Sequence, residues 1–326
     1  LSLTKGRLAY APIVYDQAMD YWLKQQQAFW LHTEINMGSD VMDWNTKLNE
    51  AERSLIGQTL KGFTQVEVAV NDYWRRVAQW FPHPEVAMMA SAFSNMETIH
   101  TRAYAYLNDT LGLTDFQAFL HDPATKAKID NLIDTKGSDL ESKAKSLAVF
   151  SGFAEGVSLF SSFAILMNFS RFNKLKGVGQ IVAFSVKDES LHAEAGSWLF
   201  RTLIKENPKL WEDDFKKDIY EAARVAVKLE DDFIDKAFEM GAVEGLDPRD
   251  LKNFIRHRAN TRLLDLGLKT NYKNLDKESV EKVSSWFTMM TAGVHHTDFF
   301  AMQVTDYSRG AVDFSNVFEE NNENKQ

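Results

Sequence analysis

ETIHTRAYAYL, residues 97–107, and DESLH, residues 188–192, carry the reading of this chain. On a helix the first stretch sets Glu97, His100 and Tyr104 at i, i+3 and i+7, so a carboxylate, an imidazole and a phenol share one face. The second stretch repeats the Glu-x-x-His step at Glu189 and His192. Of the 8 His, only these two have a Glu three residues earlier. Either motif alone is a coincidence that helices rich in Glu produce. The pair has a shared context: each is preceded by a helix with a lone acid on an apolar stretch, Glu67 in TQVEVAV and Glu155 in SGFAEGVSLF. One scheme therefore occurs twice: a helix with a lone Glu, a turn, and a helix with Glu-x-x-His.

The surrounding segments read as helices as well. With 6 Pro and 16 Gly in 326 residues, long segments run without breakers, and their apolar residues recur at three- and four-residue steps. Residues 47–80 read as one long helix, capped by Asn45 or Thr46 and followed by the turn FPHPE. Further helices are expected at 85–107, 140–175, 177–206, 213–240 and 248–268. Residues 108–140 contain NDTLGLTD, HDPAT and DTKGSD and read as short helices and turns outside the main bundle. No strand alternation survives comparison with the helical pattern. The expectation is an all-α fold with one domain over residues 1–307 and a polar, flexible tail at 308–326.

Composition narrows the chemistry. A hydrophobic content of 44% supports a sizeable core, and no uninterrupted apolar run approaches the length of about 18 residues that marks a membrane span. The N-terminal LSLTKGRLAYAP lacks the apolar centre and cleavage site of a signal peptide, so a cytoplasmic location is expected. A net charge of −9 argues against a nucleic-acid surface. Cys 0 excludes disulfides, thiolate metal sites and thiol nucleophiles. What remains is chemistry by nitrogen and oxygen ligands and by aromatic side chains.

One Glu from each of two helices, with Glu-x-x-His from each of two others, is the ligand scheme of ferritin-like two-metal bundles. Two adjacent divalent ions need anionic oxygens to bridge them and offset their charge, and one imidazole per ion suits Fe or Mn. A lone Glu on such a helix is more often a surface residue, and a lone His more often an ordinary hydrogen-bonding one. Four acids and two His in this order outweigh that reading. Four buried carboxylates without cations would cost more than a domain's net stability unless they took up protons. Tyr104, one turn beyond His100, falls beside the ligands, and Leu159 and Phe163, at +4 and +8 from Glu155, would shield it. Outside this context Tyr104 would be read as a buried Tyr with one hydrogen-bond partner.

The stretches FWLHTE, SNMETIHTRAYAYL, SGFAEGVSLFSSFA, VAFSVKDESLHAEAGSWLF and HRANTRLLDLGL resemble the radical-generating small (beta) subunit of class I ribonucleotide reductase, a ferritin-like helical bundle. The resemblance implies an oxidoreductase subunit that is active only with a large alpha subunit. It implies metal ligands at Glu67, Glu97, His100, Glu155, Glu189 and His192, holding two ions, with Fe expected and Mn or mixed Mn/Fe as alternatives. It implies a radical at Tyr104 and a relay through Asp188, Trp30 and Tyr307 to the large subunit, where ribonucleotides become deoxyribonucleotides. DFSNVF, beyond Tyr307, matches a tail that docks on that subunit. A homodimer is implied, and an activating flavoprotein is a further partner to consider. The missing thiols fit, because nucleotide reduction in this family uses cysteines that would lie on the other polypeptide.

Two features depart from the common pattern. The first ligand of the family is usually Asp, whereas here Glu67 is the acid in place; Asp72, five residues on, would face elsewhere. A Glu there marks a subgroup with mixed manganese and iron that lacks the radical tyrosine, yet Tyr104 is present. Ser185 stands one turn before Glu189, where an apolar shield is usual. The alternative readings are a related two-metal oxygenase or ligand-binding oxidase, a ferritin-like metal store, and a structural helical protein without metal.

Overall fold

A computed structural model describes residues 2–117, 121–133 and 138–292 of the chain. Its helices are α1 (Asp16–Gln27), α2 (Gly38–Thr46), α3 (Glu50–Trp80), α4 (Pro84–Thr110), α5 (Pro123–Ile133), α6 (Leu140–Val149), α7 (Phe160–Arg171), α8 (Lys176–Glu206), α9 (Asp213–Ala237), α10 (Pro248–Asp265) and α11 (Lys277–Ala292). Among the described residues there is no strand, only an isolated bridge between Val243 and Leu246. Leu1–Thr291 packs as one compact unit. Tyr307 and the expected tail lie outside the described residues.

Four long elements form the core. α3 packs along α4, and the α6–α7 region packs along α8, with α4 touching α8 across the centre. α1 lies against α4 and α8, while α9 and α10 cover the outer side of the α6–α7 region. The ends are fixed by specific polar contacts. Asn49 caps α3 in a reciprocal box: its side chain accepts from the Glu52 N–H, and Glu52 accepts from the Asn49 N–H, both at 2.9 Å. Such a cap is worth about 1 kcal/mol. It displaces the cap expected at Asn45 or Thr46, whose side chains instead donate to Val41 and Met42 carbonyls inside α2. The start of α8 has no local cap. Asp40 and Asp43 of α2 reach over to accept from the N–H groups of Gly177, Val178 and Leu175, satisfying donors that a helix start leaves free.

The helix expected over 140–175 is interrupted. Phe150–Ser158 winds as a π-helix between α6 and α7, and the run ends at Arg171. Leu140–Arg171 is apolar and long enough to cross a membrane, but 94% of its apolar window is buried inside the protein. It is the central core helix, which is why its pattern shows no polar face.

Candidate metal centre

Six side chains from the four core elements converge at the middle of the bundle. Glu67 comes from α3, Glu97 and His100 from α4, Glu155 from the π-helical stretch, and Glu189 and His192 from α8. All six are fully buried. They form two overlapping clusters whose donor atoms lie within 4.8 Å of one another: Glu67, Glu97, His100 and Glu189, and Glu97, Glu155, Glu189 and His192. Glu97 and Glu189 belong to both, the placement expected of carboxylates that bridge two ions. His100 Nδ1 stands 3.1 Å from Glu97 and 3.0 Å from Glu189, and His192 Nδ1 stands 2.6 Å from Glu97. One imidazole thus serves each cluster.

The donor set fits metal ions. Both Glu67 oxygens, both Glu189 oxygens, Glu97 Oε1, Glu155 Oε2 and His192 Nδ1 are buried without an aligned hydrogen-bond partner. Buried polar atoms are otherwise almost always paired, and unpaired carboxylates at the centre of a core are strongly unfavourable. Divalent cations would satisfy all of them at once.

The far sides of the two imidazoles are held in place. His100 Nε2 donates to Asp188 Oδ2 at 2.9 Å, and Trp30 Nε1 donates to the same oxygen at 2.8 Å. Trp30 also stacks on His100, with ring centroids 5.9 Å apart. Gln25 of α1 joins the two halves: its amide nitrogen donates to Asp188 Oδ1 and its oxygen accepts from His192 Nε2, each at 2.9 Å. With both Nε2 atoms engaged as donors, each Nδ1 is left to present its lone pair to an ion. Trp74 Nε1 donates to Glu155 Oε1 at 2.5 Å. Sequence reasoning identified Asp188 and Trp30 but missed Gln25 and Trp74. Trp74 was readable, because it lies two turns beyond Glu67 on the same face of α3. Gln25 shares the buried face of α1 with Ala18 and Tyr21, a helix the sequence reading did not propose.

Tyr104 is fully buried one turn from His100. Its hydroxyl has no aligned hydrogen-bond partner. Phe63, four residues before Glu67, packs edge-on at 4.2 Å between centroids, and Phe163 packs on Phe63 at 5.1 Å. Leu159 is fully buried as well. Burial, then the Glu67 charge, hold the Tyr104 phenol well above its ordinary pKa, outweighing the opposing effects of His100 and Ser185. The Ser185 hydroxyl is itself committed to the Ile181 carbonyl at 3.1 Å.

The acids titrate far apart. Burial raises Glu67 to about 7 and Glu189 to about 8, and it raises Glu155 well above its ordinary range. Burial acts on Glu97 too, but the charges of His100 and His192 outweigh it and hold Glu97 at about 2. His100 is raised well above 6.5, because Glu97, Asp188, Glu189 and Glu67 outweigh its desolvation. Without metal, the folded site therefore holds protons on Glu67, Glu155 and Glu189 that the unfolded chain releases above about pH 4.5. Metal-free stability should fall as pH rises from about 4.5 to about 8, and the raised His100 adds to the fall above about 6.5. The Glu97 contribution has the opposite sign and is lost only below about pH 4.5. Metal must displace these protons, so affinity should increase from pH 5 to pH 8 with measurable proton release. Calorimetry in buffers of different ionisation enthalpy checks this; pH-independent binding without proton release would contradict it.

An all-helical, ferritin-like bundle with two overlapping buried carboxylate–histidine clusters suited to a pair of metal ions, beside a sealed tyrosine, defines the class of this protein. The family model "Ribonucleotide reductase, small chain" matches residues 7–279, and the chain belongs to that family, whose members form the radical-generating subunit of an oxidoreductase that works with a large subunit. The probable ribonucleoside-diphosphate reductase small subunit 048L of Invertebrate iridescent virus 3 is 35% identical over 96% of this chain and 87% of its own length. In fold, the chain is similar to a putative class I ribonucleotide reductase from Bacillus halodurans, with a TM-score of 0.78 and 22% identity over 85% of this chain and 100% of that one. It is also similar to the dimanganese(II) NrdF of Streptococcus sanguinis, with a TM-score of 0.71 and 20% identity over 85% of this chain and 99% of that one.

Proposed function

We propose that Glu67, Glu97, His100, Glu155, Glu189 and His192 hold two metal ions and that Tyr104 is the residue whose oxidation this chain delivers to a large catalytic subunit. The observation that carries the reading is the set of buried, unpartnered oxygens shared between two clusters, with Tyr104 sealed beside them. When bound, the ions would supply the redox chemistry, with dioxygen or superoxide as oxidant. Fe is the expected metal. Mn or a mixed pair is the alternative that Glu67 and the dimanganese(II) relative favour.

The chain's own residues do the rest. Tyr104 gives up one electron and its phenolic proton; its raised pKa means that the proton is present until the electron leaves. Phe63 and Phe163 exclude water and reductants from the ring. Asp188 keeps His100 and Trp30 on one hydrogen-bonded line out of the centre. Trp30 and Asp188 start the relay, Tyr307 continues it, and residues 308–326 dock on the large subunit, where cysteines absent from this chain reduce the ribonucleotide. Residues 1–307 form the two-metal domain in this reading. The chain works in the cytoplasm as a homodimer, with an activating flavoprotein as a further partner.

The test is reconstitution with a large subunit of the same family. Metal-loaded, oxidant-treated chain should support conversion of a ribonucleoside diphosphate to the deoxy form, and neither subunit should do so alone. A metal-loaded chain that oxidises an added organic substrate and supports no nucleotide reduction would favour the oxygenase reading.

A further inference from the structure

The π-helical turn that carries Glu155 is clamped from outside the bundle by α10. A π stretch inserts extra backbone into a helix, and where the ladder returns to α spacing a carbonyl is left without its N–H partner. The Gly156 carbonyl, next to Glu155, accepts a hydrogen bond from Arg258 Nε at 3.0 Å. The same guanidinium lies over the ring of Phe160, the first residue of α7, at 3.2 Å from the centroid. Among the described residues no carboxylate forms an ion pair with Arg258. Burial and the neighbouring Arg262 disfavour its charged form. A buried guanidinium facing a carbonyl and a ring, with no paired acid, is costly as a mere filler.

The glycines of the turn fit the same contact. A Cβ on Gly156 would lie 2.5 Å from Arg262 Cδ, and one on Gly152 would lie 3.2 Å from Leu266 Cδ1. Both Arg262 and Leu266 belong to the α10 end of the chain. On the opposite side, a Cβ on Gly196 of α8 would collide with Ser151 Oγ at 1.9 Å. The bulged turn is thus seated between α8 and α10, and Arg258 holds its Gly156 carbonyl. At the other end of Glu155, Trp74 holds the carboxylate.

We infer that Arg258 is a positioning residue for one of the two metal positions: by fixing the Gly156 carbonyl it sets the register of the turn and so the aim of Glu155. The inference rests on the two-metal reading above. Its consequence is asymmetric, because Glu155 belongs to only one of the two clusters.

The experiment is anaerobic Mn(II) titration of the full chain, followed by calorimetry and electron paramagnetic resonance. In Arg258→Met the ion held by Glu155 and His192 should bind about 10- to 100-fold more weakly, the range for loss of a group that orients a ligand. The ion held by Glu67 and His100 should keep its affinity. The spectrum should shift from a coupled pair to a single Mn(II) whose signal matches that of Glu155→Ala and differs from that of Glu67→Ala, which leaves the other position filled. Arg258→Lys, which keeps a donor but not the planar stack, should recover part of the loss. Gly156→Ala, which drives Arg262 off the turn, should show the same one-sided weakening and carries the test if Arg258→Met does not fold. A variant that binds both ions like wild type, or loses both in step with its melting temperature, overturns the role of Arg258. A wild type that binds no pair overturns this inference and the metal reading together.

Discussion

Tyr104→Phe should leave about two metal ions bound and abolish nucleotide reduction by the reconstituted complex, a loss of at least about 10³-fold, because in the proposed mechanism the phenol is the group that is oxidised. The substitution removes one oxygen that has no aligned hydrogen-bond partner, so folding should be unaffected or slightly improved. The Phe63 and Phe163 packing would continue to hold a phenyl ring in the same place. Metal analysis, melting temperature and turnover with a large subunit separate the two effects. Turnover retained in Tyr104→Phe would remove Tyr104 from the mechanism; loss of metal would make it a structural partner of the site.

Glu189→Ala should have the largest effect on metal content. Glu189 belongs to both clusters, so its removal deprives each ion of a ligand and leaves Glu97 as the only shared carboxylate. Retention should fall from about two ions to less than about one per chain. Glu67→Ala and Glu155→Ala each touch one cluster and should leave one ion bound. If Glu189→Ala retained as much metal as the other two, the assignment of Glu189 as a bridge would fail.

The two Glu-x-x-His steps and the two lone acids made the buried six-residue cluster legible, since helical periodicity puts those side chains on inward faces of four helices. Long breaker-free runs made the all-α architecture legible for the same reason. The parts that were not legible depend on tertiary contact. Gln25 is a glutamine in a run of three until α1 packs against α4 and α8. The cap at Asn49 is the exception: its Asn-x-x-Glu spacing to Glu52 is local and readable, and it sets Asn49 apart from Asn45 and Thr46. The π turn at Phe150–Ser158 differs from α-helix by register, which an apolar sequence on every face does not encode. Gly152 and Gly156, one turn apart inside a helix, were its one visible sign, and they acquire meaning only when Arg262 and Leu266 are seen against them.

The proposed function turns on a two-ion centre that oxidises Tyr104. Its most direct test is metal analysis combined with electron paramagnetic resonance on chain loaded with Fe(II), Mn(II) or both and then exposed to oxidant. About two ions per chain, with a tyrosyl signal that is absent from Tyr104→Phe, is the predicted result. A centre that binds two ions and yields only a metal-centred signal, unchanged in Tyr104→Phe, would contradict it.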